Sequence, residues 1–207
     1  MIIYLHPDNP EQRKLRQISE TLKKGGVYIF PTDTVYALVA DAFSKEGVEK
    51  LYSLKKMDKN KPISIFCKDI SEVSSYVNFV PNDAFKLMKK VIPGPFTFIF
   101  QANKKVPKMV LTDKKRKTVG VRIPSHIFIQ ELLQVHGSPL TSTSVFTDDE
   151  YVTDTEELDM IYGKRVNGII DGGLLEVSVS TVLSFTGDDM EVIRAGKGAE
   201  LLDLVEA

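Results

Sequence analysis

Residues 22–31 read Leu-Lys-Lys-Gly-Gly-Val-Tyr-Ile-Phe-Pro (LKKGGVYIFP), and the paired glycines separate two kinds of hydrophobic pattern. Upstream, Leu15, Ile18 and Leu22 recur at helical spacing. Asn9 can cap such a helix, Pro10 suits its first position, and Gln12 stands where a capping-box partner would. A helix is therefore expected from about Pro10 to Gly25-Gly26. Downstream, Val27 to Phe30 is a short unbroken apolar run that stops at Pro31, as in a strand buried on both faces. A helix delivered directly into a buried strand is the repeating unit of a layered α/β fold.

The unit recurs in both directions along the chain. Ser44 can cap a helix carrying Val48, Leu51 and Tyr52, with a strand following at Pro62 to Cys67. Asn82 or Asp83 begins a helix with Phe85, Met88 and Val91, which Pro93-Gly94-Pro95 ends before a strand from Phe96 to Gln101. Thr118 to Ile123 reads as a strand, Ser125 as the cap of the helix IFIQELLQVH, and Pro139 to Val145 as the next strand. Asp154 opens a helix to about Tyr162, Gly168 to Asp171 is a short strand, and Ser180 to Phe185 pairs with Met190 to Arg194 as a hairpin across Gly187-Asp188. The expected class is α/β (α+β): a single-domain, twisted, open mixed sheet with helices packed on it.

At 207 residues, 43% hydrophobic and 27% charged, the chain suits one compact soluble domain over residues 1–207, with its core at about 10–198 and a tail at 199–207. No apolar run approaches the roughly 18 residues of a membrane span, and the N-terminal apolar run is too short for a signal peptide, so no membrane association and a cytoplasmic location are expected. Cys67, the single cysteine, lies in the apolar run ISIFC and reads as a buried structural thiol. The net charge of −1 conceals a polarised chain: residues 1–122 hold 23 Lys and Arg against 12 Asp and Glu, whereas residues 123–207 hold 4 against 16. A basic half of this kind suggests a face that meets polyanions, although a folded sheet can also interleave the halves.

Motifs with a fixed chemistry are mostly missing. His6, His126 and His136 have no metal-ligand spacing, so no metal site is expected, and His126 and His136 are expected on a helix surface. Gly196-Lys197-Gly198 lacks the earlier glycine and the following Ser or Thr of a phosphate loop. The acidic run Asp148-Asp149-Glu150 reads as a solvated loop. What stands out instead is a set of hydroxyl and cationic residues at strand ends. These are Thr32 and Thr34, Thr118 and Arg122, Ser142 to Ser144, and Ser180-Thr181. Open sheets place ligands beyond strand ends, where such groups converge on an anion.

Taken in order, FPTDTVYAL, LKKMDKNKPISIF, VIPGPFTFIF, TVGVRIPSH, PLTSTS, STVL and VIRAGKG resemble the YrdC/YciO family from about Gly26 to Gly198. The resemblance implies the YrdC-like (YrdC/RibB-type) fold and the activity of threonylcarbamoyl-AMP synthases. In that reaction L-threonine and bicarbonate form a carbamate whose oxygen attacks the α-phosphorus of ATP. Pyrophosphate leaves, and threonylcarbamoyl-AMP, the activated intermediate for a tRNA modification, is the product. ATP is implied as a substrate, with Mg2+ carried by its triphosphate. By motif, Lys55 and Ser144 match the residues around the reacting phosphates. Thr34, Arg122, Ser144 and Ser180 match the threonine site, and Lys55, Thr118, Ser142 and Arg194 the nucleotide side.

Three positions depart from the family pattern. The Arg of a K-x-R pair falls on Met57, the Asn of an S-x-N pair on Phe146, and an expected His on Phe66. Each charge-assisted hydrogen bond lost is worth about 1.5–3 kcal/mol, which implies a weak or altered synthase and resembles the YciO branch. Met57 and Phe146 would also make an aromatic and thioether wall, better suited to a base than to pyrophosphate. The alternative is a module of the same fold that binds tRNA or double-stranded RNA with little or no chemistry, using Lys104-Lys105 and Lys114-Lys115-Arg116-Lys117.

Overall fold

The computed structural model describes residues 1–56, 63–147 and 150–203. The elements are β1 (Ile2–Ile3), α1 (Gln12–Lys23), β2 (Tyr28–Phe30), β3 (Ala37–Asp41), α2 (Lys45–Leu54), β4 (Ser64–Phe66), α3 (Ile70–Ser74), α4 (Asn82–Val91) and β5 (Phe96–Gln101). After a 3-10 turn at Lys108–Val110 come β6 (Thr118–Arg122), α5 (Ile127–His136), β7 (Leu140–Ser144), β8 (Phe146–Thr147), β9 (Glu150–Tyr151), α6 (Thr155–Tyr162), β10 (Gly168–Ile170), β11 (Thr181–Ser184), β12 (Glu191–Arg194) and α7 (Glu200–Asp203). Among the described residues, ten strands form one mixed sheet in the order β1-β10-β2-β3-β7-β4-β6-β5-β11-β12, and β8 and β9 form a separate hairpin.

Period-two alternation gives the sheet two unlike faces. On one face, Phe96, Phe98 and Phe100 of β5 and Val119 and Val121 of β6 join Leu38, Ile65 and the apolar side chains of α2 and α4 in the larger core. Each such fully buried side chain contributes about 1.5–3 kcal/mol. On the other face, Phe30, Val39, Leu140 and Phe66 pack under α1 and α5 through Leu15, Ile18, Leu22, Phe128 and Leu132. Past Phe66 this second face becomes polar: its next positions are Ser142, Ser64, Gly120 and Thr97. The apolar part is the part the helices cover, and the polar part forms a cavity.

Several helix ends follow their sequence signals. Ser44 caps α2 by accepting from Gly47 N, Asp154 caps α6 by accepting from Glu156 N and Glu157 N, and α5 ends at Gly137 with φ 76°. Two expected caps are corrected. The N-cap of α5 is His126, whose Nδ1 accepts from Phe128 N, rather than Ser125. Helix α1 begins at Gln12 rather than Pro10, because His6 Nδ1 accepts from Asp8 N and Asn9 N and commits Asn9 to the preceding turn.

Histidine 136 is also corrected, from the surface to the interior. Its Nδ1 lies 2.9 Å from Ser19 Oγ of α1, and its Nε2 lies 3.6 Å from Asp41 Oδ2 at the end of β3. The tail starting at 199 is partly structured, since α7 places Leu202 against the larger core. Cys67 is fully buried, and burial pushes its thiol pKa well up. Among the described residues no helix is long and apolar enough to cross a membrane.

Candidate functional site

The polar half of the second face floors a cavity of about 560 Å3. Strand register sets its floor. Leu140 pairs with Phe66, Phe66 with Arg122, Arg122 with Thr97, Thr97 with Val182, and Val182 with Arg194, so one row crosses six strands from the apolar core to two arginines. The adjacent row runs Ser142, Ser64, Gly120 and Ile99. Gly120 leaves the middle of the floor open: a Cβ there would stand 3.2 Å from Thr112 Oγ1.

At the cationic end, the loop between β2 and β3 brings Asp33 and Thr34 onto Arg122. Arg122 Nη2 donates to Asp33 Oδ1 at 2.6 Å and Nη1 donates to Thr34 Oγ1 at 3.0 Å. The two charged side chains are only 7% and 11% exposed, yet Arg122 Nε and Asp33 Oδ2 are buried with no hydrogen-bond partner among the described residues. Burial pulls the Arg122 pKa down, the Asp33 charge opposes that, and Arg194 is near enough to lower it further. Thr34 is held in turn by Thr32, whose hydroxyl donates to Val35 O. The loop itself is fixed by Tyr36, whose hydroxyl donates to Gly173 O and accepts from Gly172 N.

Arg194 leans on β11: Nε donates to Ser180 O and Nη2 to Ser180 Oγ, each at 3.0 Å. Ser180 Oγ is also 3.1 Å from Thr97 Oγ1. Lys197 reaches back across the chain to donate to the Asp33 carbonyl at 3.0 Å. Arg122, Arg194 and Lys197 thus gather at this end of the cavity, and Arg122 pairs with the Asp33 carboxylate.

The other end belongs to Lys55, at the C-terminal cap of α2. Its Nζ donates to Ser144 O at 2.6 Å and to Thr143 Oγ1 at 3.2 Å, and lies 3.8 Å from the centroid of the Phe146 ring. Phe146 meets Tyr151 edge-on at 6.0 Å, which makes the β8–β9 hairpin an aromatic wall.

Of the residues singled out in the sequence, Thr34, Lys55, Arg122, Ser142, Ser144, Ser180 and Arg194 all line this one cavity. Thr118 does not. It shares a strand face with Gly120 and Arg122 but pairs with Gln101 beyond the cavity, next to the 112–118 turn. Phe66 is on the wall, with the Arg122 guanidinium 5.8 Å from its ring. Met57 lies outside the described residues, as do Asp148 and Asp149. Asp33, Thr97 and Lys197 join the site without a chemical signal of their own in the sequence: Asp33 lies between the two threonines of FPTDTVYAL, Thr97 within VIPGPFTFIF, and Lys197 in a segment that fails the phosphate-loop pattern.

A family model described as "Telomere recombination", covering the Sua5, YciO and YrdC proteins, matches residues 20–196. The uncharacterized protein YciO of Escherichia coli is 41% identical over 197 residues, spanning 94% of this chain and 95% of its own. Its crystal structure superposes with a TM-score of 0.88 over 96% of both chains at 40% identity. A putative threonylcarbamoyl-AMP synthase of Methanocaldococcus jannaschii is 35% identical over 201 residues, spanning 94% of this chain and 92% of its own. The crystal structure of Pyrococcus abyssi Sua5 complexed with L-threonine has a TM-score of 0.91 at 25% identity, covering 99% of this chain and 60% of that one. With the family pattern matched across this span and the fold shared end to end, the chain belongs to the Sua5/YciO/YrdC family.

Proposed function

We propose that the cavity binds L-threonine and ATP and makes threonylcarbamoyl-AMP slowly. The buried Arg122–Asp33 pair carries the reading, because it keeps one unsatisfied donor and one unsatisfied acceptor at the cavity's cationic end. A buried polar atom without a partner costs about 1–3 kcal/mol, so a ligand that satisfies both recovers that free energy on binding. A zwitterionic amino acid has the matching groups: Arg122 takes the carboxylate, and Asp33 accepts from the amine, later the carbamate N–H. The complex of P. abyssi Sua5 with L-threonine supports this choice of ligand.

In the proposed reaction the threonine amine and bicarbonate condense to the carbamate with loss of water. A carbamate oxygen then attacks the α-phosphorus of ATP as the bond to pyrophosphate breaks, with Mg2+ arriving on the triphosphate. The chain supplies position and charge: Arg194 and Lys197 flank the cationic end, and Ser142, Ser144 and Lys55 the nucleotide end. Turnover is slow because Lys55 is engaged by the end of β7 and Phe146 offers no hydrogen bond. The test is ATP–pyrophosphate exchange dependent on both threonine and bicarbonate. Slow exchange abolished by Arg122→Ala supports the reading, and exchange indifferent to threonine sinks it.

A second reading, RNA binding, is favoured by the turn beside the cavity. Asp113 Oδ1 accepts from Lys115 N and Arg116 N, fixing a turn that displays Lys114, Lys115, Arg116 and Lys117 next to the cavity residue Thr112. A fixed cluster of cations suits a phosphate backbone.

A further inference from the structure

The cationic end of the cavity holds two hydroxyl pairs, and their donors give them opposite polarity. A hydroxyl has one donor and two acceptor positions, and an arginine has five donors and no acceptor. In the first pair Thr32 gives its hydrogen to Val35 O, so the hydrogen between the two oxygens, 2.9 Å apart, comes from Thr34. Thr34 Oγ1 also accepts from Arg122 Nη1 at 3.0 Å. With its own hydrogen spent, Thr34 meets a ligand only as an acceptor.

The second pair, Thr97 of β5 and Ser180 beside β11, is the reverse. The two oxygens are 3.1 Å apart, and Arg194 Nη2 donates to Ser180 Oγ at 3.0 Å. Whichever oxygen donates across the pair, one O–H is left with no acceptor among the described residues. The guanidinium sets the direction: by donating to Ser180 Oγ it strengthens Ser180 as a donor, so the chain runs from Arg194 through Ser180 to Thr97. The open hydrogen is then that of Thr97, a buried residue that lines the cavity and pairs with Arg122 across the sheet. Such a polarised donor suits an anionic oxygen.

Charge indicates which one. Arg122, Arg194 and Lys197 against Asp33 leave these four side chains with two positive charges in excess. A zwitterionic amino acid brings no net charge, whereas its carbamate carries two negative charges, one on the carboxylate and one on the oxygens added from bicarbonate. Arg122 takes the carboxylate in the proposed reading. The second anion needs donors of its own, and it finds them in Thr97 and in the N–H groups of Arg194 that Ser180 does not engage.

We propose that Thr97 is a further catalytic residue, donating its hydroxyl hydrogen bond to the bicarbonate oxygen on which charge builds, with Ser180 and Arg194 orienting and polarising it. The proposal deepens the synthase reading and rests on its assignment of the carboxylate to Arg122. The amine, having lost a proton to solvent, adds its lone pair to the bicarbonate carbon, and the C=O pair moves onto the oxygen that faces Thr97. Return of that pair expels hydroxide, which leaves as water with a proton from the nitrogen. The carbamate keeps the Thr97 bond on one oxygen, and its other oxygen attacks the α-phosphorus.

The experiment compares wild type, Thr97→Val and Thr97→Ser, after thermal melts confirm folding. Valine keeps the branching of threonine without the hydroxyl, and serine keeps the hydroxyl. In the absence of ATP, binding of isotopically labelled bicarbonate beside L-threonine is read from its carbon NMR line width, and binding of L-threonine alone by calorimetry. Thr97→Val is expected to weaken bicarbonate binding about tenfold or more, the scale of one hydrogen bond to a charged group, while Thr97→Ser stays within about threefold. L-threonine affinity is expected to hold within about threefold in both variants, and kcat/KM for bicarbonate in ATP–pyrophosphate exchange to fall with the binding loss. No bicarbonate binding in wild type, or equal binding in Thr97→Val, overturns the proposal. Weaker L-threonine binding with bicarbonate unaffected would assign the hydroxyl to the carboxylate and overturn it too. Exchange separates the two claims. Exchange that ignores threonine, with bicarbonate binding still dependent on Thr97, removes the synthase reading alone, whereas threonine-dependent exchange whose bicarbonate kinetics survive Thr97→Val removes the role of Thr97 alone.

Discussion

Arg122 donates through Nη2 to Asp33 Oδ1 at 2.6 Å, while Arg122 Nε and Asp33 Oδ2, equally buried, face no partner among the described residues. Removing one member of a buried ion pair leaves the other charge uncompensated and costs about 3–5 kcal/mol. Asp33→Ala is therefore expected to lower the thermal midpoint by roughly 6–20 °C, at about 2–4 °C per kcal/mol for a chain of this size. Adding L-threonine should raise the midpoint of wild type but not of this variant. A midpoint within a degree or two of wild type would show that the pair is not a closed, desolvated unit.

Arg122→Lys tests the geometry of that pair rather than its charge. Lysine keeps the cation but cannot reach Asp33 and Thr34 together through a planar fork. L-threonine affinity is expected to fall about tenfold or more, the worth of one charge-assisted bond, with a smaller stability loss than in Asp33→Ala. Calorimetric titration reads the affinity, and an unchanged value would exclude Arg122 from ligand contact.

Gly120 leaves a side-chain-free gap in the cavity floor, bounded by Thr112, Thr97 and Ser64. Gly120→Val fills it with two methyl groups on a residue that favours strands, at an overpacking cost of about 1–3 kcal/mol. ATP and threonine should both bind at least tenfold more weakly by this occlusion, while circular dichroism stays native. Retained binding of both would place the ligands elsewhere.

The Asp41–His136 pair gives stability a pH dependence remote from the cavity. Burial acts to raise the Asp41 carboxyl pKa, but the His136 imidazole, the Phe43 N–H and the Lys23 charge together hold it below the usual carboxylate value. A depressed carboxyl adds stability that is fully present above its unfolded pKa and is lost as pH falls through its folded one. Glu72, raised by burial, works in the opposite direction, so the comparison must be with a variant at Asp41 itself. Denaturant midpoints from pH 6 down to about 3 should fall less steeply in Asp41→Asn than in wild type. Parallel slopes would mean the pair carries no linkage.

Replacing Lys115, Arg116 and Lys117 with Ala tests the RNA reading. Affinity for a double-stranded RNA is expected to weaken with salt in wild type, with a log–log slope that shrinks by about 0.7–0.9 per phosphate contact removed. An unchanged slope, measured by fluorescence anisotropy, would exclude the turn as a binding surface.

Much of the layered fold was readable because the helix and strand periods alternate cleanly around residues such as Leu22, Val27 and Phe98. Strand β3 has no strand signature in the sequence because ALVAD is buried on both faces and shows no alternation, and it directly follows the hydroxyl residues Thr32 and Thr34. The hydroxyl and cationic residues of the cavity were visible as strand-end clusters, but their order was not. The row from Arg122 through Thr97 and Val182 to Arg194 depends on β5 pairing with β11, strands more than 80 residues apart. The buried state of His136 likewise depends on Ser19 and Asp41, each brought from a different layer. Lys55 illustrates the same limit: its position was read from the sequence, but its engagement by Phe146 exists only once β8 and β9 have paired.

The central claim is that the cationic end holds the amino acid and the aromatic end faces the nucleotide. A crystal structure of the protein soaked with ATP and L-threonine tests it most directly. The account predicts threonine density with its carboxylate on Arg122 and its nitrogen on Asp33 Oδ2, and nucleotide density between Lys55, Ser144 and Arg194. Threonine bound away from Arg122, or a cavity that stays empty at saturating concentrations of both ligands, would contradict it.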